Sequence, residues 1–186
     1  ADGSSTLKSF GIHPWDIEKT NINSRLGEIE ALCVENRLIA IGEAGIDRAV
    51  KIPLELQILV FEKQLALAER FQLPVIIHCV RAWNDVLMIR KKGKYTTPWI
   101  FHGYNGNLQT ARQIINSGCF LSFWKALLMN IKLQETFKAL PLSAVFFETD
   151  DADIKIEEIY EKAGELYDIC TEDLKNHIVE NFNRIF

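Results

Sequence analysis

Apolar residues in this chain follow two alternating rhythms. Short runs rich in Val, Ile, Leu and Phe, at 8–13, 38–43, 74–79, 98–102, 119–123 and 143–150, show little polar alternation, the pattern of strands covered on both faces. Between them lie stretches with apolar positions three and four apart, at 22–35, 54–71, 83–91, 107–116, 130–139, 156–169 and 172–184, which predict helices. The clearest is 54–71, entered after Pro53 and carrying Leu56, Leu59, Val60, Phe61, Leu65, Leu67 and Ala68. Strand and helix alternate throughout, which predicts an α/β fold with a parallel sheet.

The ends of the apolar runs narrow the choice. Glu43, His78, His102 and Asp150 each close a run, and Ala44-Gly45, Cys79, Gly103 and Asp151 follow them as loop openings. A doubly wound sheet accommodates six strands but gives no reason for polar residues at the same end of four of them. In a (β/α) barrel the C-terminal strand ends converge, so residues far apart in sequence share one pocket. The expectation is therefore a TIM-type (β/α) barrel, with 1–186 as a single domain. Period-two geometry puts His78 on one face with Ile76 and leaves Ile77 for the helix layer. A closed barrel has eight strands, so the first one or two are expected to be missing from this chain.

Composition changes this picture only at its edges. A chain of 186 residues can bury one core, and no Pro/Gly/Ser-rich linker divides it. With a net charge of −4, no global field recruits a polyanion or an anionic membrane, and any nucleic-acid contact must be local. The one basic run, Arg90-Lys-Lys-Gly-Lys94, complements a helix C-terminus. Cys33, Cys79, Cys119 and Cys170 lack metal-type spacing and lie in apolar segments, which suggests a reducing, cytoplasmic setting. There is no basic-then-apolar leader and no membrane-length apolar run, so neither secretion nor membrane association is expected. Residues 1–6 are given no role in the fold.

Gly11-Ile-His-Pro-Trp15, Ile41-Gly-Glu-Ala-Gly-Ile-Asp47, Leu73-Pro-Val-Ile-Ile-His78 with Arg81-Ala82, Phe101-His-Gly-Tyr-Asn-Gly106, Phe147-Glu-Thr-Asp150 and Asn181-Phe-Asn-Arg-Ile-Phe186 follow one another in this order. Over residues 9–186 the chain thereby resembles the TatD family of metal-dependent deoxyribonucleases. The resemblance implies a TIM barrel, one or two divalent ions (Mg, Mn or Zn) and hydrolysis of DNA phosphodiesters, as a 3′-5′ exonuclease on single-stranded ends. It further implies that Glu43, His78 and His102 form one metal subsite. Glu43 would bridge to a second subsite that takes Asp150 and a His-x-His pair from an opening strand. This chain has His13, His78, His102 and His177 and no His-x-His, so its site is incomplete for two metals and the one-metal reading is better supported. The absent pair and the absent strands are one absence. The alternative is a degenerate barrel of this kind acting as an interaction or structural subunit. A small-molecule amidohydrolase is disfavoured, because no strand-end Lys is available for carbamylation.

The residues themselves bear on this chemistry. One carboxylate and two imidazoles, Glu43, His78 and His102, suit Zn²⁺, Mn²⁺ or a similar ion. Asp150 is read either as the group that orients or deprotonates a water or as the cap of a helix near Ile154. Asp47 and Arg48 are expected on a loop after a turn at Gly45, with Arg48 contacting a phosphate or pairing with Asp47. Arg81 either holds a phosphate or forms a salt bridge at a helix start. Trp83, Tyr104, Trp15 and Trp124 offer stacking faces to unpaired bases or pack at the rim. His13, before Pro14, is expected at the pocket mouth rather than on a metal, and His177 on a solvated helix face.

Overall fold

The computed structural model describes residues 7–186, so the lead-in at 1–6 lies outside the described residues. Six strands alternate with helices among the described residues, and each strand is parallel to the neighbours it pairs with inside its unit. The α/β reading of the sequence is met. The chain forms two compact units: the first ends at Trp99 and also takes in Phe186, and the second is Ile100–Ile185. Among the described residues, no helix is long and apolar enough to cross a membrane.

The first unit contains β1 (Ser9–Phe10), a 3-10 helix (Pro14–Lys19), α1 (Ile22–Val34), β2 (Ala40–Asp47), α2 (Leu54–Phe71), β3 (Val75–Val80) and α3 (Trp83–Gly93). β1 pairs with β2, and β2 with β3. Val60, Phe61, Leu65 and Ala68 of α2 are fully buried, as their spacing predicts. Each of the large side chains among them contributes about 1.5–3 kcal/mol of burial. The same helix face carries two buried polar residues seven apart. Gln64 accepts from the Ile12 N–H and donates to the Ile12 carbonyl. Gln57 accepts from the Asp47 N–H and donates to the carbonyls of Asp47 and Ile52. These bonds explain why β1 is two residues long rather than six: beyond Phe10 the backbone is satisfied by a glutamine side chain instead of a ladder.

β2 departs most from expectation. The strand does not stop before a glycine turn; it continues through Gly45 to Asp47. Ile41 pairs with Val75 and Ala44 with Ile77, so three steps along β2 answer two along β3, which is a bulge at Glu43. Gly42 and Gly45 adopt φ of 149° and 153°, a conformation that side chains resist, and thereby keep the strand extended past its apolar run. Asp47 accordingly sits buried at a strand end, not on a loop.

The second unit begins within β4 (Trp99–Phe101) and contains α4 (Leu108–Asn116), β5 (Phe120–Phe123), α5 (Ala126–Met129), α6 (Ile131–Lys138), β6 (Val145–Phe147), α7 (Ile156–Tyr167) and α8 (Thr171–Ile185). β4 pairs with β5, and β5 with β6, again in sequence order. Asn107 and Asn130 cap α4 and α6 by accepting from Thr110 and Leu133 N–H groups. Phe123, Phe137 and Leu121 fill the core of this unit. Three cysteines are buried as small apolar groups, whereas Cys170, at the start of α8, is exposed and departs from that expectation.

Candidate metal centre

In the first unit, β2 and β3 bring Glu43, Asp47 and His78 together, and the segment after β1 adds His13 and Trp15. The Nε2 of His78 lies 3.1 Å from Asp47 Oδ2. Asp47 Oδ2 also accepts from Trp15 Nε1–H at 2.7 Å, and its Oδ1 accepts from the Ala49 N–H at 2.7 Å. Burial alone would raise the Asp47 carboxyl, but hydrogen bonds from Trp15, Ala49 and His78 outweigh it and hold the group below the usual carboxylate range. An ionised Asp47 keeps the imidazole proton of His78 on Nε2, which leaves the Nδ1 lone pair directed at Glu43 Oε2, 3.7 Å away. This separation is too long for a hydrogen bond. It is close to the roughly 3.4 Å between two ligand atoms about 2.1 Å from a tetrahedral ion.

His13 reaches the same carboxylate, with its Nε2 3.8 Å from Glu43 Oε2 and its ring edge-on to His78 at 4.3 Å. One ligand atom each from His13, Glu43 and His78 lie within 4.8 Å of one another. The tautomer distinguishes the two histidines. His13 Nδ1 accepts from the Trp15 N–H at 3.2 Å, so its ring proton is on Nε2, facing Glu43 as a donor rather than as a ligand. Burial, with the neighbouring His78, lowers the His13 pKa and keeps the ring neutral near pH 7.

The second unit repeats the arrangement on its own strands. His102 follows β4, and its Nδ1 lies 2.8 Å from Glu148 Oε1, which also accepts from the Gly103 N–H at 2.6 Å. The other nitrogen, Nε2, lies 3.9 Å from Asp150 Oδ2. Asp150 adopts φ of 51° in the turn after β6. It is not a helix cap: at the start of α7 the Lys155 N–H is taken by Glu158. Each histidine thus has one nitrogen held by a carboxylate and the other facing a second carboxylate, the relation by which an outer residue orients a metal-binding imidazole. Sequence reasoning named Glu43, His78, His102 and Asp150, placed Asp47 on a loop rather than behind His78, and gave Glu148 no role. Their signal was only a second carboxylate close to the first, four residues past Glu43 and two before Asp150.

The expected substrate contacts divide. Tyr104 is wholly buried and its hydroxyl donates to the Asn107 carbonyl at 2.6 Å, so the expectation of a stacking face there is corrected: no ring surface reaches solvent. Arg48 forks onto Asp85 at 2.7 and 2.9 Å instead of pairing with Asp47. Arg81 is exposed, with φ of 54°, in the turn between β3 and α3, and Trp83 is half-buried at the start of α3. In the basic run, Arg90 covers the Trp99 ring and donates to the Thr97 carbonyl.

Replacing Asp47 by Asn keeps the shape but removes the charge that places the proton on His78 Nε2. Titration with Mn²⁺ is expected to show a roughly 10–100-fold loss of metal affinity.

The family model for TatD related DNase matches residues 2–186. The uncharacterized metal-dependent hydrolase YabD of Bacillus subtilis is 30% identical to this chain, over 96% of the chain and 76% of the relative. The deoxyribonuclease Tat-D of Schizosaccharomyces pombe is 29% identical over 76% of the chain and 50% of the relative. The 3′-5′ ssDNA/RNA exonuclease TatD of Cronobacter sakazakii is 30% identical over 75% of the chain and 55% of the relative. The chain thus spans from half to three quarters of the length of these relatives. Among solved structures, YjjV, a TatD homologue from Escherichia coli, has a TM-score of 0.89 at 24% identity, covering 97% of this chain and 76% of the other. That likeness shows the α/β fold, of TIM-barrel type, expected from the strand ends.

Proposed function

Since the chain belongs to the TatD related DNase family, we propose that it is a metal-dependent phosphodiesterase that releases nucleotides from the 3′ ends of single-stranded DNA. The proposed ligands are Glu43 and His78 in the first unit, and His102 and Asp150 in the second. The observation that carries this reading is the paired imidazoles: Asp47 behind His78 and Glu148 behind His102, each leaving one ring nitrogen facing a carboxylate at 3.7 or 3.9 Å. The mixed nitrogen and oxygen set favours Mn²⁺ or Zn²⁺ over Mg²⁺, which prefers oxygen alone. A divalent ion held there would supply charge neutralisation at the phosphoryl oxygens and a water of lowered pKa.

The chain's own groups have distinct parts in this proposal. Asp150, the most exposed of the four carboxylates Glu43, Asp47, Glu148 and Asp150, accepts a proton from the attacking water. His13, neutral and protonated on Nε2, donates a hydrogen bond toward an oxygen on the Glu43 side. Arg81 and Trp83 are the proposed contacts to the DNA strand. Asp47 and Glu148 do no chemistry; they orient the imidazoles of His78 and His102.

The test is release of mononucleotides from a 3′-labelled single-stranded oligonucleotide. Activity is expected with Mn²⁺, to vanish with EDTA and to return when Mn²⁺ is restored. Activity that persists after the metal is stripped would refute the assignment.

A further inference from the structure

We infer that Trp15 is a stacking platform for the nucleobase next to the scissile phosphate, a binding surface that rests on the nuclease reading of Glu43 and His78. The indole is 52% exposed, unusual for the largest apolar side chain on a short helical turn. It is not loose. Its Nε1–H donates to Asp47 Oδ2 at 2.7 Å, and its backbone N–H donates to His13 Nδ1 at 3.2 Å. The ring meets His13 edge-to-face at 4.9 Å and His78 at 5.8 Å. Pro14 precedes it at the first position of the 3-10 helix and fixes the backbone entry. The polar edge of the indole is therefore pinned inward, and the remaining ring surface is presented to solvent in one orientation.

A side chain anchored this firmly while exposing so much apolar surface is prepaid for binding a flat partner, because little rotamer freedom remains to be lost. Its place selects the partner. The ring lies against His78, whose Nδ1 faces Glu43, so a phosphate bound through an ion at that carboxylate and imidazole would put its own nucleoside within one nucleotide's length of the indole. Every base has a π-face, so such a platform is tolerant of sequence, as trimming of arbitrary ends requires. Of the aromatics that the sequence offered as stacking faces, Trp15 is the one whose ring meets that of His78.

The experiment compares two probes on Mn²⁺-loaded protein: dAMP, and deoxyribose 5-phosphate, which has the same phosphate and sugar without a base. Binding is followed by indole fluorescence and, independently of the fluorophore, by equilibrium dialysis. Wild-type fluorescence is expected to be quenched by dAMP and not by deoxyribose 5-phosphate. Trp15→Ala is expected to weaken dAMP by about 5- to 150-fold more than it weakens deoxyribose 5-phosphate. Trp15→Phe, which keeps a ring but loses the N–H, is expected to retain most dAMP affinity. Equal loss of both probes in Trp15→Ala would mean that the indole acts only by holding Asp47, and would overturn the proposal. So would dAMP affinity that is insensitive to Trp15→Ala, or quenching that survives in Trp15→Phe. If base-dependent binding is seen but wild-type protein releases no nucleotides from DNA, the nuclease reading fails and the base platform stands.

Discussion

Glu43→Gln is expected to abolish Mn²⁺-stimulated release of nucleotides from single-stranded DNA. The substitution keeps the shape of a half-exposed side chain and removes the charge that both His13 and His78 face at 3.8 and 3.7 Å. A neutral amide neither balances a divalent ion nor attracts the His13 Nε2–H that faces it at 3.8 Å with comparable strength. The loss should exceed the roughly 10–100-fold seen when a residue behind a ligand is removed, as in Asp47→Asn. Elemental analysis on the same preparation checks the cause: bound metal should fall with activity, while the melting temperature without metal stays within a few degrees. A variant that keeps both its metal and its turnover would remove Glu43 from the centre.

Gly45→Ala should be the most damaging single methyl in the first unit. A Cβ at Gly45 would stand 2.0 Å from the carbonyl oxygen of His78, its register partner on β3, and the residue holds φ of 153°. The contact is with backbone, so no rotamer change relieves it, and the backbone conformation is itself nearly restricted to glycine. Urea unfolding should report a loss of about 3 kcal/mol or more, combining overpacking with backbone strain. Gly27→Ala is the internal control. Gly27 lies on α1 with open space around the added Cβ, and the change should stabilise the protein by about 0.5–1 kcal/mol. Any movement of β2 against β3 also shifts Asp47 relative to His78, so Gly45→Ala should lose metal affinity as well as stability.

Where the hydrophobic rhythm is strong, sequence and structure agree. The 54–71 pattern becomes α2 over the same residues, and the asparagines at 107 and 130 begin helices as caps. Disagreement concentrates at β1 and β2. There the local pattern is overridden by two glutamines from α2, which satisfy backbone that a ladder would otherwise pair, and by glycines that let β2 continue through a bulge. Tyr104 was misjudged for a related reason. An aromatic in a glycine-rich segment after a strand reads as a rim residue, but its hydroxyl finds the Asn107 carbonyl and the ring can then be buried at no polar cost.

By itself the sequence determined the α/β class, the positions of the helices, and the four side chains that end apolar runs: Glu43, His78, His102 and Asp150. Such features depend on periodicity and on residue type, which are local. Only the tertiary structure decided which nitrogen of each histidine is held by the nearer carboxylate. That choice belongs to Asp47, 31 residues from His78, and to Glu148, which reaches back across the second unit to His102. It also turned Trp15 from one aromatic among several into a ring held by Asp47 against His78. A proton's place on an imidazole is set by the partner that packing delivers, and packing between residues so far apart leaves no mark on the spacing of a single chain.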